Sequence, residues 1–319
     1  LIYENNTQMF FKAQNKCFIG VDLGGTKTEA AVLDADHHFL LRERLPTPQH
    51  DYADIIASIA ELVNFAKQRC HLSADHPVGI GIPGCIDPLT QVVRGANTQV
   101  LNDQPFQSDL QKALGCEVFI ENDANCLALS EVVDGASLGS RVSFAAILGT
   151  GCGAGITLGT SIWAGRNALA GEWGHNPLPW PTPQELETPA CWCGQQGCIE
   201  TWVSGPALAA DHLRSTQKEM TPEQIVQSML QGDTTATHTW QRYVGRLARS
   251  LAHIVNTLDP DVIVLGGGMS RIDALYADLA NRINQYTFTR PITTPIRAAV
   301  HGDSSGVRGA AWLTRHVSG

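Results

Sequence analysis

Positive charge is what this sequence is shortest of. Lys and Arg number 22 against 31 Asp and Glu, for a formal net charge of −9 and a pI near 5.6. A surface of that sign cannot neutralise a phosphate backbone, so a nucleic-acid partner is excluded. A small anion can still be bound where backbone N–H groups, a metal ion and local cations supply positive potential. Long apolar runs are missing too: none approaches the roughly 18 to 20 residues that span a bilayer, and no membrane partner is expected. Residues 1–16 (LIYENNTQMFFKAQNK) lack the apolar core and small-residue cleavage site of a signal peptide. They read as a leader or an appended segment rather than as part of the fold.

The chain also lacks an orderly cysteine framework. Of nine cysteines, six are scattered (Cys17, Cys70, Cys85, Cys116, Cys126 and Cys152). An odd, scattered set is poor material for disulfides and suits a reducing cytosol, so a cytoplasmic protein is expected. The other three, Cys191, Cys193 and Cys198, crowd together and need a separate explanation. With 319 residues, 43% hydrophobic and 17% charged, the chain has globular composition and enough length for two domains.

CFIGV, at residues 17–21, is a short apolar run that ends at DLGGTKT. A second strand-like stretch, EAAVLDADHHFLLRERLP, folds back over a polar turn near Ala35 and Asp36. Ile55, Ile56, Ile59, Leu62, Val63 and Ala66 recur at helical spacing between Asp51 and Cys70. Strand VGIGIPG, a helix near 107–114 and strand EVFIENDAN follow. A second round begins at Val142 with SFAAILGTGCGAGITL, two strands around a glycine-rich turn. An irregular stretch from Gly165 to Thr201 precedes helical patterns over about 205–257, strand DVIVLGGG and a closing helix in GVRGAAWLTRHV. Two strand–glycine turn–strand units, each followed by mixed elements, imply two α/β domains with a cleft between them.

Each glycine-rich turn follows a strand. Asp22-Leu23-Gly24-Gly25-Thr26-Lys27 is the first, and Gly149-Thr150-Gly151-Cys152-Gly153-Ala154-Gly155 and Gly266-Gly267-Gly268 repeat the arrangement. Two readings stand open: plain hairpin punctuation, or glycines taking φ > 0 so that successive N–H groups cradle phosphate oxygens. Asp22 favours the second reading if a Mg2+ ion, through its waters, lies between its carboxylate and the phosphate. No turn closes on GK[ST], which excludes a Walker A loop. DLGGTK leads into a strand rather than a helix, which excludes a Rossmann fingerprint.

Glu121-Asn122-Asp123-Ala124-Asn125 lies where a strand gives way to a helix. Asp123 is there either an N-cap or the general base for a hydroxyl nucleophile, with Asn122 as a hydrogen-bonding locator. His175 with Cys191, Cys193 and Cys198 makes a Cys3His set, the closed tetrahedral ligation of structural zinc; buried thiols or a disulfide are the alternative. A zinc clamp would hold the loop so that Glu172, His175 and Glu200 aim at a polyhydroxylated ligand, because carboxylates accept from adjacent hydroxyls.

Taken in order, DLGGTKT, GIPG, ENDAN, GTGCGAG, the E-x-G-H of Glu172 to His175, CWCGQQGCIE and VIVLGGG resemble the ROK family of bacterial sugar kinases and repressors, from about residue 17 to the end. The resemblance implies a two-domain actin-like, hexokinase-like (ribonuclease H-like) α/β fold, MgATP as phosphoryl donor and a homodimer. It divides the chain into a smaller N-terminal domain, 17–122 plus 302–319, and a larger domain, 123–301, with the zinc loop at 172–200. It makes Asp123 the catalytic base, and Asn97, Asn122, Glu172, His175 and Glu200 sugar ligands. The first two turns bind phosphate, and Gly266 to Gly268 lie near the adenosine. Too few residues precede the first strand for the helix-turn-helix of the family's repressors, which favours a kinase over a non-catalytic sugar sensor. GEWGHNPLPW, CIETWVSG and HGDSSGVRGAAWL look most like the family's fructokinases, which implies fructose and also mannose as acceptors, with N-acetylglucosamine kinase and then glucokinase next.

Overall fold

The computed structural model describes residues 17–315; the expected leader lies outside them. The chain forms two compact units. The first unit holds a five-stranded sheet, built from β1 (Phe18–Leu23), β2 (Lys27–Leu33), β3 (Phe39–Pro46), β4 (Val78–Ile82) and β7 (Val118–Asn122) in the order β3-β2-β1-β4-β7. A two-stranded ribbon, β5 (Cys85–Ile86) with β6 (Val93–Arg94), stands beside it. β1 runs antiparallel to β2 and parallel to β4, which is parallel to β7.

Alternation along β1 sorts its side chains between two faces. Ile19, Val21 and Leu23 join the core with Ile55, Ile59 and Leu62 of α1 (Tyr52–Arg69), a helix started by Asp51, whose side chain accepts from the Ala53 and Asp54 N–H groups. Gly20 and Asp22 face the C-terminal helix Ser305–Trp312 instead. A Cβ at Gly20, or at its β4 partner Gly79, would overlap that helix's backbone. The apolar run therefore needs glycine at these positions because a helix lies directly on the strand. α2 (Phe106–Leu114) adds Phe106 and Leu110 to the same core.

The helix that follows ENDAN, α3 (Asp123–Asp134), belongs to the first unit, which runs to Asp134 and resumes at Ala164–Leu169 and Asp303. The sequence reading places the boundary at 122/123. The reason for the difference lies in the C-terminal helix: Gly309 packs on the Cys126 carbonyl, Ser305 Oγ bonds Glu131 Oε1 at 3.1 Å, and Arg308 pairs with Asp134.

The second unit repeats the plan with β8 (Val142–Leu148), β9 (Cys152–Leu158), β10 (Ser161–Ile162), β11 (Val262–Gly266) and β12 (Ile296–Ala298), in the order β10-β9-β8-β11-β12. β8 is antiparallel to β9 and parallel to β11, so each unit carries a glycine-turn hairpin flanked by a parallel strand. The irregular stretch ends in α4 (Glu200–Val203), and the helical region beyond it resolves into α5 (Gly205–Thr216), α6 (Pro222–Leu230) and α7 (Thr234–Leu258), followed by α8 (Tyr276–Ile283). Tyr243, Leu247, Leu251 and Val255 of α7, at helical spacing, pack with β8 and β11. Among the described residues no helix is long and apolar enough to cross a membrane.

Candidate functional site

In the first unit the parallel strands β1, β4 and β7 deliver their C-terminal ends to one sheet edge, with Asp22 opposite Gly81 and Gly81 opposite Glu121. Ligand-handling groups of α/β folds collect at such an edge. Asn122 is tied down at both ends of its amide: Nδ2 donates to the Gly84 carbonyl at 3.0 Å and Oδ1 accepts from Ala124 N–H at 2.8 Å. Gly84 makes this geometry with a left-handed φ of 80°, where a Cβ would overlap the Arg94 carbonyl. The cap-type bond two residues ahead thus comes from Asn122, whereas Asp123 Oδ1 accepts from its own neighbour Ala124 N–H at 2.8 Å. Glu121 braces the turn, accepting from Asn122 N–H at 3.0 Å and Asn125 Nδ2 at 2.9 Å, and burial raises its pKa.

The first turn is a tight hairpin closed by Gly24 N–H to the Lys27 carbonyl at 3.0 Å, and Thr47 Oγ1 donates to the Gly24 carbonyl at 2.8 Å. Gly24 and Gly25 do not take positive φ. A Cβ on Gly25 would meet nothing within 4 Å, so glycine there keeps the backbone bare toward a ligand. Burial, then the Asp123 and Glu29 carboxylates, push Asp22 from the usual 3.8 up to about 7. A crowd of carboxylates that resists ionisation at a phosphate-type turn fits a divalent cation, and Asp22 is the residue that would hold Mg2+.

The sign of that shift gives a test. The folded-state value lies above the unfolded one, so ionised Asp22 destabilises the metal-free protein. The penalty is absent below about pH 4, grows toward pH 7 and is complete above it, with a ceiling on the order of 4 kcal/mol. In Mg2+-free buffer, Asp22→Asn is expected to melt higher than wild type above pH 7 and alike near pH 4; equal melting at pH 8 would refute the crowding.

In the second unit the Gly149–Gly151 turn ends β8 and the Gly266–Gly268 turn ends its parallel neighbour β11. Of all these glycines only Gly267 takes a left-handed φ, 81°, and it backs directly onto Leu148. Gly205 N–H donates to the Gly149 carbonyl at 2.8 Å, which sets the start of α5 on the turn. Gly149, Thr150, Gly205 and Gly268 border a cavity of about 620 Å³. Pro206, Pro222, Val226, Leu230, Met269 and Ile272 give it apolar walls suited to a planar base. These wall residues escape sequence reading, because they come from separate helices and carry no motif.

His175, Cys191, Cys193 and Cys198 converge, their ligand atoms all within 4.8 Å of one another. Cys193 and Cys198 sulfurs lie 3.6 Å apart, and Cys191 Sγ lies 3.6 Å from His175 Nδ1. No disulfide forms at that distance, since an S–S bond is about 2.05 Å. A tetrahedron with Zn–S near 2.3 Å has edges of about 3.8 Å, so the set fits zinc. Burial, then Cys193, pushes Cys198 up to about 12, a thiol crowding that a cation would relieve.

Around this set, Glu172 is half-buried, and its pKa is raised by burial, lowered by His175 and raised by Glu200. Glu200 Oε2 accepts from Cys152 N–H at 2.8 Å and Oε1 from Trp192 Nε1 at 2.7 Å. The loop has a second anchor: buried Glu185 accepts from Arg246 Nε at 2.7 Å and from Arg249 Nη2 at 2.8 Å. In the first unit, Asn97 is exposed on a loop held by Asn102, which accepts from Ala96 N–H at 3.0 Å and donates to the Ala96 carbonyl at 2.8 Å.

The ROK family model matches residues 18–317. The chain belongs to the ROK family. An N-acetyl-D-glucosamine kinase of Erwinia tasmaniensis is 37% identical over 302 residues, covering 93% of this chain and 98% of that protein. Among solved structures, the Thermus thermophilus ROK hexokinase matches with a TM-score of 0.83 at 30% identity, covering 95% of this chain and all of that one. A Streptomyces griseus ROK glucokinase, solved with glucose and AMPPNP, matches at 0.77 and 29%, covering 94% and 99%. The two-domain actin-like, hexokinase-like α/β fold is therefore established, and by reaction class the chain is an ATP-dependent sugar kinase. The fructokinase likeness of GEWGHNPLPW and CIETWVSG does not find support; the relatives point to N-acetylglucosamine, the alternative acceptor.

Proposed function

We propose that this ROK protein is an N-acetyl-D-glucosamine kinase, transferring the γ-phosphoryl group of ATP to a hydroxyl of that sugar. The observation that carries the sugar's identity is 37% identity, across 93% of the chain, to a kinase named for that substrate. Asp123 takes the proton from the attacking hydroxyl, with Asn122 and Glu121 fixing the strand-to-helix turn on which it stands. Asn97, Asn122, Glu172, His175 and Glu200 hold the sugar, and His175 keeps Nε2 for this because Nδ1 faces the thiols. The glycine turns offer N–H groups to the phosphates, and the apolar cavity at Gly268 takes the adenine. Mg2+ supplies charge neutralisation at the phosphates when bound, and zinc at His175, Cys191, Cys193 and Cys198 keeps the loop's shape. A cytoplasmic homodimer completes the reading: free thiols suit that compartment, and the dimer rests on the family resemblance.

A coupled ADP-release assay across N-acetylglucosamine, glucose, mannose and fructose tests the acceptor. The highest kcat/KM is expected for N-acetylglucosamine, by at least about tenfold, the range that a few pocket contacts command. Fructose as best acceptor would overturn the assignment.

A further inference from the structure

Trp192 sits between two proposed zinc ligands, so its backbone is fixed on both sides, yet its side chain is 61% exposed. Exposure alone is ordinary for a surface tryptophan, but this one makes two specific contacts. Its Nε1–H donates to Glu200 Oε1 at 2.7 Å, and its ring meets the His175 ring edge-to-face, centroids 5.1 Å apart at 86°. It therefore touches two of the groups assigned to the sugar. Glu200 in turn has one protein donor on each oxygen: Trp192 on Oε1 and, at 2.8 Å, the Cys152 N–H of the second glycine turn on Oε2. Two donors, one per oxygen, fix both the position and the plane of a carboxylate. Each oxygen keeps a further lone pair for an incoming hydroxyl.

We propose that Trp192 is a positioning residue for the sugar: its indole N–H locks the Glu200 carboxylate in the plane that receives the sugar hydroxyls, and its ring steadies His175 beside it. The second donor, a main-chain N–H of the Cys152 turn, is fixed by the β8–β9 hairpin. Trp192 is thus the side chain through which the zinc loop sets its own carboxylate. Preorganisation of this kind acts on sugar binding and leaves the nucleotide cavity untouched. The proposal rests on the assignment of Glu200 and His175 to the sugar.

Trp192→Phe keeps an aromatic face toward His175 and removes only the donor. It is expected to raise the sugar KM about tenfold, as loss of a hydrogen bond to a charged group does, with kcat, ATP KM and the zinc content of the purified protein unchanged. In 15N-labelled wild-type protein, the indole signal absent from Trp192→Phe is expected to shift when sugar is added without nucleotide. An unchanged sugar KM, an unmoved indole signal, or a KM rise accompanied by loss of zinc would each overturn the proposal. The measurement uses whichever sugar the wild-type enzyme phosphorylates best, so a wrong acceptor identity shows in the assay panel and leaves this test standing.

Discussion

Asp123→Asn is expected to lower kcat by about 10²- to 10⁴-fold, the usual contribution of a positioned general base, while sugar KM and melting temperature change little. The substitution preserves shape and the Oδ1 that accepts from Ala124 N–H at 2.8 Å, so the helix start survives. What is lost is the ability to accept a proton. The N-cap reading of the same residue predicts activity kept, and stability kept as well, because Asn caps a helix as well as Asp does. Asn122→Ala serves as contrast: it removes the bonds to Gly84 and Ala124 and should damage stability as well as sugar KM. Undiminished turnover in Asp123→Asn would remove the base from the mechanism.

Loss of the proposed zinc should also have a large effect, on stability and on sugar binding. Structural zinc sites bind with free energies on the order of 10 kcal/mol at neutral pH, and the proposed one would tie His175 to the Cys191–Cys198 turn. The loop's bridges Pro177–Cys198 and Ala190–Gln196 both lie beside the ligand set. Purified protein is expected to carry about one zinc per chain, by metal analysis. Cys198→Ser should lose it, with a fall in melting temperature and a sugar KM raised well over tenfold as Glu172, His175 and Glu200 lose their frame. Zinc-free protein with unaltered kinetics would refute the clamp. Glu185, held by Arg246 and Arg249, keeps the far end of the loop attached, so the loss should be local rather than global.

What the sequence disclosed and what it concealed divide along chain separation. The glycine turns, the strand-to-helix junction at Asp123 and the cysteine cluster are local patterns, and local spacing was enough to find them. Of the two readings open for the glycine turns, positive φ holds only at Gly267, whereas Gly20 and Gly79, outside the turns, are glycine because a helix lies on their strands. Glu200 on Cys152, 48 residues away, and Glu185 on Arg246, 61 away, leave no trace in spacing, because an ion pair or carboxylate contact has no period. The acceptor sugar is poorly legible for a related reason. Sugars that differ in one hydroxyl or an acetamide are told apart by loop contacts, while the motifs that name the family serve the steps all its kinases share.

The C-terminal helix has a further consequence for how the protein is made. It covers the Gly20–Gly79 face of the first sheet and packs on α3, yet it is translated after the whole second unit. The first unit leaves the ribosome with that face open and stays incomplete until Ser305–Trp312 emerges. The order in which the units begin to be translated and the order in which their chain is complete are therefore inverted, the first unit to start being the last to have all its residues. Nascent chains stalled before residue 305 should be held by chaperones or proteolysed across residues 17–134, while the second unit already resists.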